Sequence, residues 1–173
     1  MNNILITGPP GSGKTTLVMR LAESLRHLSP VGFYTEEIRE QGLRQGFEIA
    51  SLDGRRRTLA HTAFKGGHRV GKYVVDVSGF EDFLGTIDFT SAKAGAVVID
   101  EIGKMECLSP AFIRLARGVL DSPTLLVATV SLAGEGFIGE VKARRDVELV
   151  EIGSHTRDSV FEGLRRRLRA GGK

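Results

Sequence analysis

Residues Ile4-Leu5-Ile6-Thr7-Gly8-Pro9-Pro10-Gly11-Ser12-Gly13-Lys14-Thr15 decide how the whole chain is read. Ile4 to Ile6 predict a short buried strand, Gly8 to Thr15 spell G-x-x-x-x-G-K-T, and the run from Thr16 to Arg26 is helix-forming. Between a strand and a helix this pattern predicts a phosphate-binding loop. Its glycines let successive backbone N–H groups turn inward on an anion, and the positive end of the following helix adds to the attraction. The candidate nucleotide-binding residues are therefore Gly8, Pro9, Pro10, Gly11, Ser12, Gly13, Lys14, Thr15 and Thr16. Lys14 is expected to neutralise β- and γ-phosphates, a catalytic as well as a binding role, and the Thr15 hydroxyl to hold Mg²⁺.

The rest of the composition narrows the setting. A chain of 173 residues suits one domain with a full core. Its net charge of +3, from 24 basic and 21 acidic residues, is too small to imply nucleic acid or an anionic membrane as an obligate partner. The lone Cys107 excludes an intrachain disulfide and fits a reducing compartment. No signal-peptide pattern opens the sequence, and no apolar run approaches the ~20 residues that cross a bilayer. A cytoplasmic protein acting as a monomer is the expectation.

Outward from the loop, Leu17, Val18, Leu21, Ala22 and Leu25 fall on one helical face, and the helix should end before Ser29-Pro30. Over residues 31–77 the pattern changes to short alternating runs separated by glycine turns. Val31 to Thr35, Gly46 to Leu52, Thr58 to Ala60 and Tyr73 to Val77 read as strands of a mainly antiparallel insertion. Ser78-Gly79 should open a helix from Phe80 towards Thr86, resuming before Gly95. Strands at Ala96 to Ile99, Leu125 to Val130 and Val147 to Ile152 alternate with a helix capped by Ser109-Pro110, a short helix or loop from Gly136 to Ala143, and a closing helix to Leu168 capped by Ser154 or Thr156. This alternation predicts a three-layer α/β domain over residues 1–173, with a mainly parallel sheet and its ligand at the carboxyl edge of the strands.

Ala96-Val97-Val98-Ile99-Asp100-Glu101 is the second informative stretch. Apolar residues ending in an acid form the usual metal-side partner of a phosphate loop, so Asp100 joins Thr15 as a Mg²⁺ ligand. Glu101, directly after it, is placed to polarise an attacking water; the alternative is a second solvated acid at a strand end. P-loop ATPases of the additional-strand type keep their catalytic glutamate at this position. Lys104 either reaches the phosphates or pairs with Glu106, and Glu106 is a candidate to steady the metal shell. Thr129 either bonds the attacking water or γ-phosphate or satisfies local backbone. Arg145, beside Arg144, is either a lid cation acting on the transferring phosphoryl group or a solvated turn. Arg157 either contacts the nucleotide base or pairs locally with Asp158. The four histidines lack metal-ligand spacing.

Taken with Gly32-Phe33-Tyr34-Thr35-Glu36-Glu37-Ile38-Arg39, Val70-Gly71-Lys72-Tyr73 and Asp100-Glu101-Ile102-Gly103-Lys104-Met105-Glu106, the chain resembles the nucleoside-triphosphatase family of the THEP type, also called cancer-related nucleoside-triphosphatase. The resemblance runs nearly end to end. It implies a RecA-like P-loop domain that hydrolyses ATP, GTP, CTP and UTP to diphosphate and phosphate with Mg²⁺ and loose base selectivity. Two departures stand out. The family tends towards Asn-Arg-Asp where this chain has Thr156-Arg157-Asp158, and towards Arg-Pro-Asp where it has Arg145-Asp146. The residues themselves leave two other classes open: a small P-loop kinase with its own acceptor, and a nucleotide-timed binding module. No Asn-Lys-x-Asp guanine-reading motif occurs in the sequence.

Overall fold

The buried strand of the opening stretch is β1 (Asn3–Thr7), and the helix after the loop is α1 (Lys14–Ser24), which starts two residues earlier than expected. The computed structural model describes residues 3–153 and 155–170. After α1 come β2 (Val31–Glu40), β3 (Leu43–Ser51), β4 (Arg56–His61), β5 (His68–Val70) and β6 (Tyr73–Val75). Then follow α2 (Val77–Leu84), β7 (Ala96–Ile102), α3 (Pro110–Leu120), β8 (Leu125–Val130), α4 (Phe137–Lys142), β9 (Val147–Glu151) and α5 (Arg157–Ala170). Among the described residues nine strands form one sheet in the order β5-β6-β4-β3-β2-β7-β8-β1-β9.

The sheet has two characters. From β2 to β9 every neighbouring pair is parallel, whereas β2–β3, β3–β4, β4–β6 and β5–β6 are antiparallel. β2 belongs to both parts. Val31, Gly32 and Phe33 pair with Val97, Val98 and Ile99 of β7, and the strand then runs on to Glu40 as one arm of a hairpin. The antiparallel strands thus continue the parallel sheet rather than stand apart from it.

Alternation along the central strands sends side chains to two cores. Ile4, Ile6, Ala96, Val98 and Val127 face α1 and α5, where they meet Leu17, Val18, Leu21, Phe161 and Leu164. Leu5, Val97, Ile99, Leu126 and Ala128 face the other way, towards residues of α2, α3 and α4. That second core is aromatic. Phe33 meets Phe80, Phe83 and Phe112 edge-on at centroid distances of 5.8, 6.3 and 6.3 Å, a geometry favourable to ring quadrupoles.

Some boundaries differ from expectation for local reasons. α2 begins at Val77 because Asp76, not Ser78, is its cap: the Asp76 carboxylate accepts the Gly79 N–H at 2.9 Å. The segment from Gly85 to Gly95 does not resume a helix but runs through turns, tied at its end by the Gly95 N–H to the Leu28 carbonyl at 2.7 Å. β5, three residues long and exposed, was not expected at all. The Ser109 cap of α3 is as read, its hydroxyl accepting the Phe112 N–H at 2.9 Å. Of the two caps expected for α5, Ser154 lies outside the described residues. Thr156 turns its hydroxyl back to accept the Gly153 N–H at 2.9 Å instead.

Candidate active site

The topology brings the loop and the two acids to one edge. β8 lies between β1 and β7, and all three strands run parallel, so the loop after Thr7, the end of β8 and Asp100-Glu101 share the carboxyl edge of the sheet. The loop itself is left open to an anion. Gly13, at φ 87°, caps α1 without a side chain, and the first turn carries no acidic residue. Its N–H groups therefore keep their positive field. Among the described residues the buried Ser12 hydroxyl in the loop has no hydrogen-bond partner, nor has the hydroxyl of Thr7 just before it. Lys14 folds over the loop, Nζ donating to the carbonyls of Gly8 at 3.0 Å and Pro9 at 3.3 Å.

Asp100 is the buried counterpart, 2% exposed. Its Oδ1 accepts the Thr129 hydroxyl at 2.6 Å and its Oδ2 the Thr35 N–H at 3.4 Å, while the Thr35 hydroxyl donates to the Asp100 carbonyl. The Thr15 hydroxyl also acts on this carboxylate, favouring its charged form and linking the two halves of the site. Burial pushes the Asp100 carboxyl above its ordinary range, against the pull of the Thr129 and Thr15 hydroxyls and the Thr35 N–H. A buried carboxylate beside a hydroxyl, with only neutral donors around it, is an all-oxygen set that fits a hard divalent cation such as Mg²⁺.

Glu101, half-buried, follows on the same strand, and the peptide bond joining it to Asp100 is cis. Ser131, just past the end of β8, donates its hydroxyl to Oε1 of Glu101. A buried acid, Glu106, lies on the far side of Gly103. A Cβ placed on Gly103 would stand 2.9 Å from Glu101 Oε1, 2.9 Å from Glu106 Oε2 and 3.2 Å from Ser131 Oγ. Only glycine lets the two carboxylates and the hydroxyl approach this closely. Burial pushes Glu106 up to about 8, with the charges of Glu101 and Asp100 adding to the rise and the backbone N–H groups of Glu106 and Gly103 opposing it.

The other expected residues divide. Thr129 reaches the site but commits its hydroxyl to Asp100. Lys104 is exposed and makes no ion pair with Glu106. Arg145 sits exposed in the turn before β9, at the amino edge of the sheet. It lies a strand's length from the loop, about 16 Å. The short α4 returns the chain to that edge, where Arg144 pairs with Asp121 and Asp146 at 2.8 and 2.7 Å. Arg157 does come to the loop. Its Cδ and Nη1 lie 2.9 and 3.0 Å from where a Gly13 Cβ would be, and its buried Nε stands 3.7 Å from Asp158 Oδ1, the local ion pair that the sequence left open. Sequence reading missed Ser131 and Thr35. Ser131 stands in no motif, and Thr35 falls in the family stretch Gly32 to Arg39 without any sign of its role; only the strand order shows that they meet the acids.

An uncapped helix end facing a buried acid two strands away is the arrangement of P-loop nucleotide-binding enzymes. Comparison with known proteins places the chain within that class. A family model described as NTPase matches residues 3–164. The nucleoside-triphosphatase THEP1 of Thermotoga sp. (strain RQ2) is 40% identical over 162 residues, covering 93% of this chain and 92% of that one. The human cancer-related nucleoside-triphosphatase, in its solution structure, superposes with a TM-score of 0.82 at 32% identity, each chain fully covered. The crystal structure of THEP1 from Aquifex aeolicus gives 0.81 at 32% identity, covering 94% of this chain and 96% of that one. The chain belongs to this family of nucleoside-triphosphatases.

Proposed function

We propose that the protein is a Mg²⁺-dependent phosphohydrolase that cleaves the β–γ bond of ATP, GTP, CTP and UTP, releasing diphosphate and phosphate. The observation that carries this reading is Glu101, next to the buried Asp100 and held by the Ser131 hydroxyl. A carboxylate fixed there can take the proton of an attacking water.

Gly8 to Thr16 wrap the phosphates, the backbone N–H groups after Pro10 donating to them, and the Ser12 hydroxyl gains a partner among their oxygens. Lys14 exchanges the Gly8 and Pro9 carbonyls for β- and γ-phosphate oxygens. Held by Thr15 and Asp100, Mg²⁺ would neutralise charge on those phosphates. Glu101 takes a proton from water as the water oxygen bonds to the γ-phosphorus and the bond to the β–γ bridging oxygen breaks. The electron pair of that bond leaves with the diphosphate. Thr129 and Thr35 keep the Asp100 carboxylate in register.

Phosphate release from the four ribonucleotides, with and without Mg²⁺ and with and without phosphoryl acceptors, tests the proposal. Steady release from all four with Mg²⁺ alone is expected. Release that waits for an acceptor, with the γ-phosphate traced onto it, speaks for a kinase instead.

A further inference from the structure

α5 carries Arg157, Phe161 and Arg165 at intervals of four, so the three side chains fall in one line along the helix. Arg157 lies over Gly13 at the phosphate loop. One turn on, the guanidinium of Arg20 from α1 stacks on the Phe161 ring, 3.9 Å from its centroid, while its Nη1 donates to Asp158 at 2.5 Å. Below that, Arg165 approaches the same ring at 5.9 Å and pairs with Glu162 at 2.7 Å. Between the helices runs a groove of about 600 Å³, from Thr16 at one end to Arg169 at the other, with Met19, Arg20 and Phe161 in its wall. That volume is in the range of small-molecule sites.

The groove begins where the phosphate loop ends. Thr16 is its first lining residue, and Arg20 follows roughly 6 Å further along the axis of α1. We infer that the groove receives the nucleoside of the bound triphosphate, with the base stacked on the open face of the Arg20 guanidinium. The inference rests on triphosphate binding at Gly8 to Thr16, as proposed above. Phe161 covers one face of this planar cation, and the Arg20 side chain lines the groove and is 39% exposed. A base laid on the other face completes a ring–guanidinium–ring stack, in which the delocalised charge attracts both π-systems. Phe161 and the Arg20–Asp158 bond fix the guanidinium before any base arrives, so little freedom is lost on binding. Arg157 holds its Nε beside Asp158 at 3.7 Å, and its Nη1, 3.0 Å from where a Gly13 Cβ would stand, is a donor at the loop for the ribose or α-phosphate.

Stacking uses the π-face that every base has and reads no base edge. A site of this kind holds all four nucleotides, purines more tightly than pyrimidines. Broad base tolerance then has a structural origin in Arg20.

The test measures dissociation constants, in Mg²⁺, for the β,γ-imido analogues of ATP and CTP and for inorganic tripolyphosphate, which has no base. Arg20→Ala should weaken the ATP analogue about tenfold and leave tripolyphosphate unchanged. Arg20→Lys, which keeps charge but not the planar face, should lose nearly as much, and the preference for the purine should shrink in both. Phe161→Leu preserves most of the packing volume and should give a smaller loss of the same kind. Unaltered affinity for the ATP analogue in Arg20→Ala overturns the inference, as does equal loss of both ligands in a variant whose thermal melt matches the parent. Lys14→Ala separates the two levels. If it loses tripolyphosphate while the Arg20 variants bind as the parent does, the phosphate-loop reading stands and the base placement falls. If Lys14→Ala binds everything normally, both fall.

Discussion

Ser131, on the loop leaving β8, donates its hydroxyl to Oε1 of Glu101 at the end of β7, so the strand between the phosphate loop and the acids also aims the candidate base. Removing that hydroxyl leaves Glu101 in place but free to rotate. Ser131→Ala should lower kcat about tenfold, since loosened positioning is costly in rate, while nucleotide affinity stays the same. A parallel rise in the nucleotide Kd would mean that Ser131 acts on binding instead.

Gly103 makes the same point through space rather than through a bond. Its backbone does not occupy the left-handed region, so alanine is tolerated conformationally. The added methyl nevertheless meets Glu101, Glu106 and Ser131 at once. Gly103→Ala should depress turnover more than Ser131→Ala does, with Mg-nucleotide binding retained. Turnover within a few-fold of the parent would show that the carboxylates have room to spare.

The contrast between these two residues and Asp100 shows what the sequence makes legible. Strand, loop, helix and acid were readable because each is local: a glycine pattern, an apolar run, a carboxylate at its end. The Ser109-Pro110 cap was equally local and held. Ser131 and Thr35 were not readable, because their roles depend on β8 and β2 flanking β7, and no spacing along the chain encodes that adjacency. Arg145, between a helix and a strand in the sequence, read as either a lid cation or a solvated turn. The number of residues in α4 returns it to the wrong edge, a fact of three-dimensional path alone. Arg157 was visible as a cation near a helix start, but its place over Gly13 needed the packing of α5 on α1.

Glu106 supplies a pH dependence. Folded, it holds its proton up to about 8; unfolded, it releases it near its ordinary value of 4.5. Between those values the folded chain binds more protons, so this group makes stability fall as pH rises from about 4.5 to about 8. Glu106→Gln, which cannot ionise, should flatten the decline and be more stable than the parent at pH 8. Asp100, raised for the same reason, leaves a residual slope in the same direction. Urea denaturation at several pH values checks this, and parallel curves for the two proteins would contradict it.

Phe33 sits where the parallel sheet becomes antiparallel and touches three other rings of the aromatic core. It is fully buried. Phe33→Ala should cost about 3–5 kcal/mol, the usual loss when a buried aromatic leaves a cavity. Chemical denaturation gives the value directly; a loss under about 1 kcal/mol would mean that the core closes around the gap.

The central claim is that water is the acceptor and Glu101 its base. Phosphate release by Glu101→Gln, set beside its affinity for Mg-nucleotide, tests this most directly. The amide keeps the size of the side chain and a hydrogen bond to Ser131 but cannot take a proton. Nucleotide binding at the parental level with turnover lowered about 10²-fold or more is the predicted result. Turnover within a few-fold of the parent would contradict it.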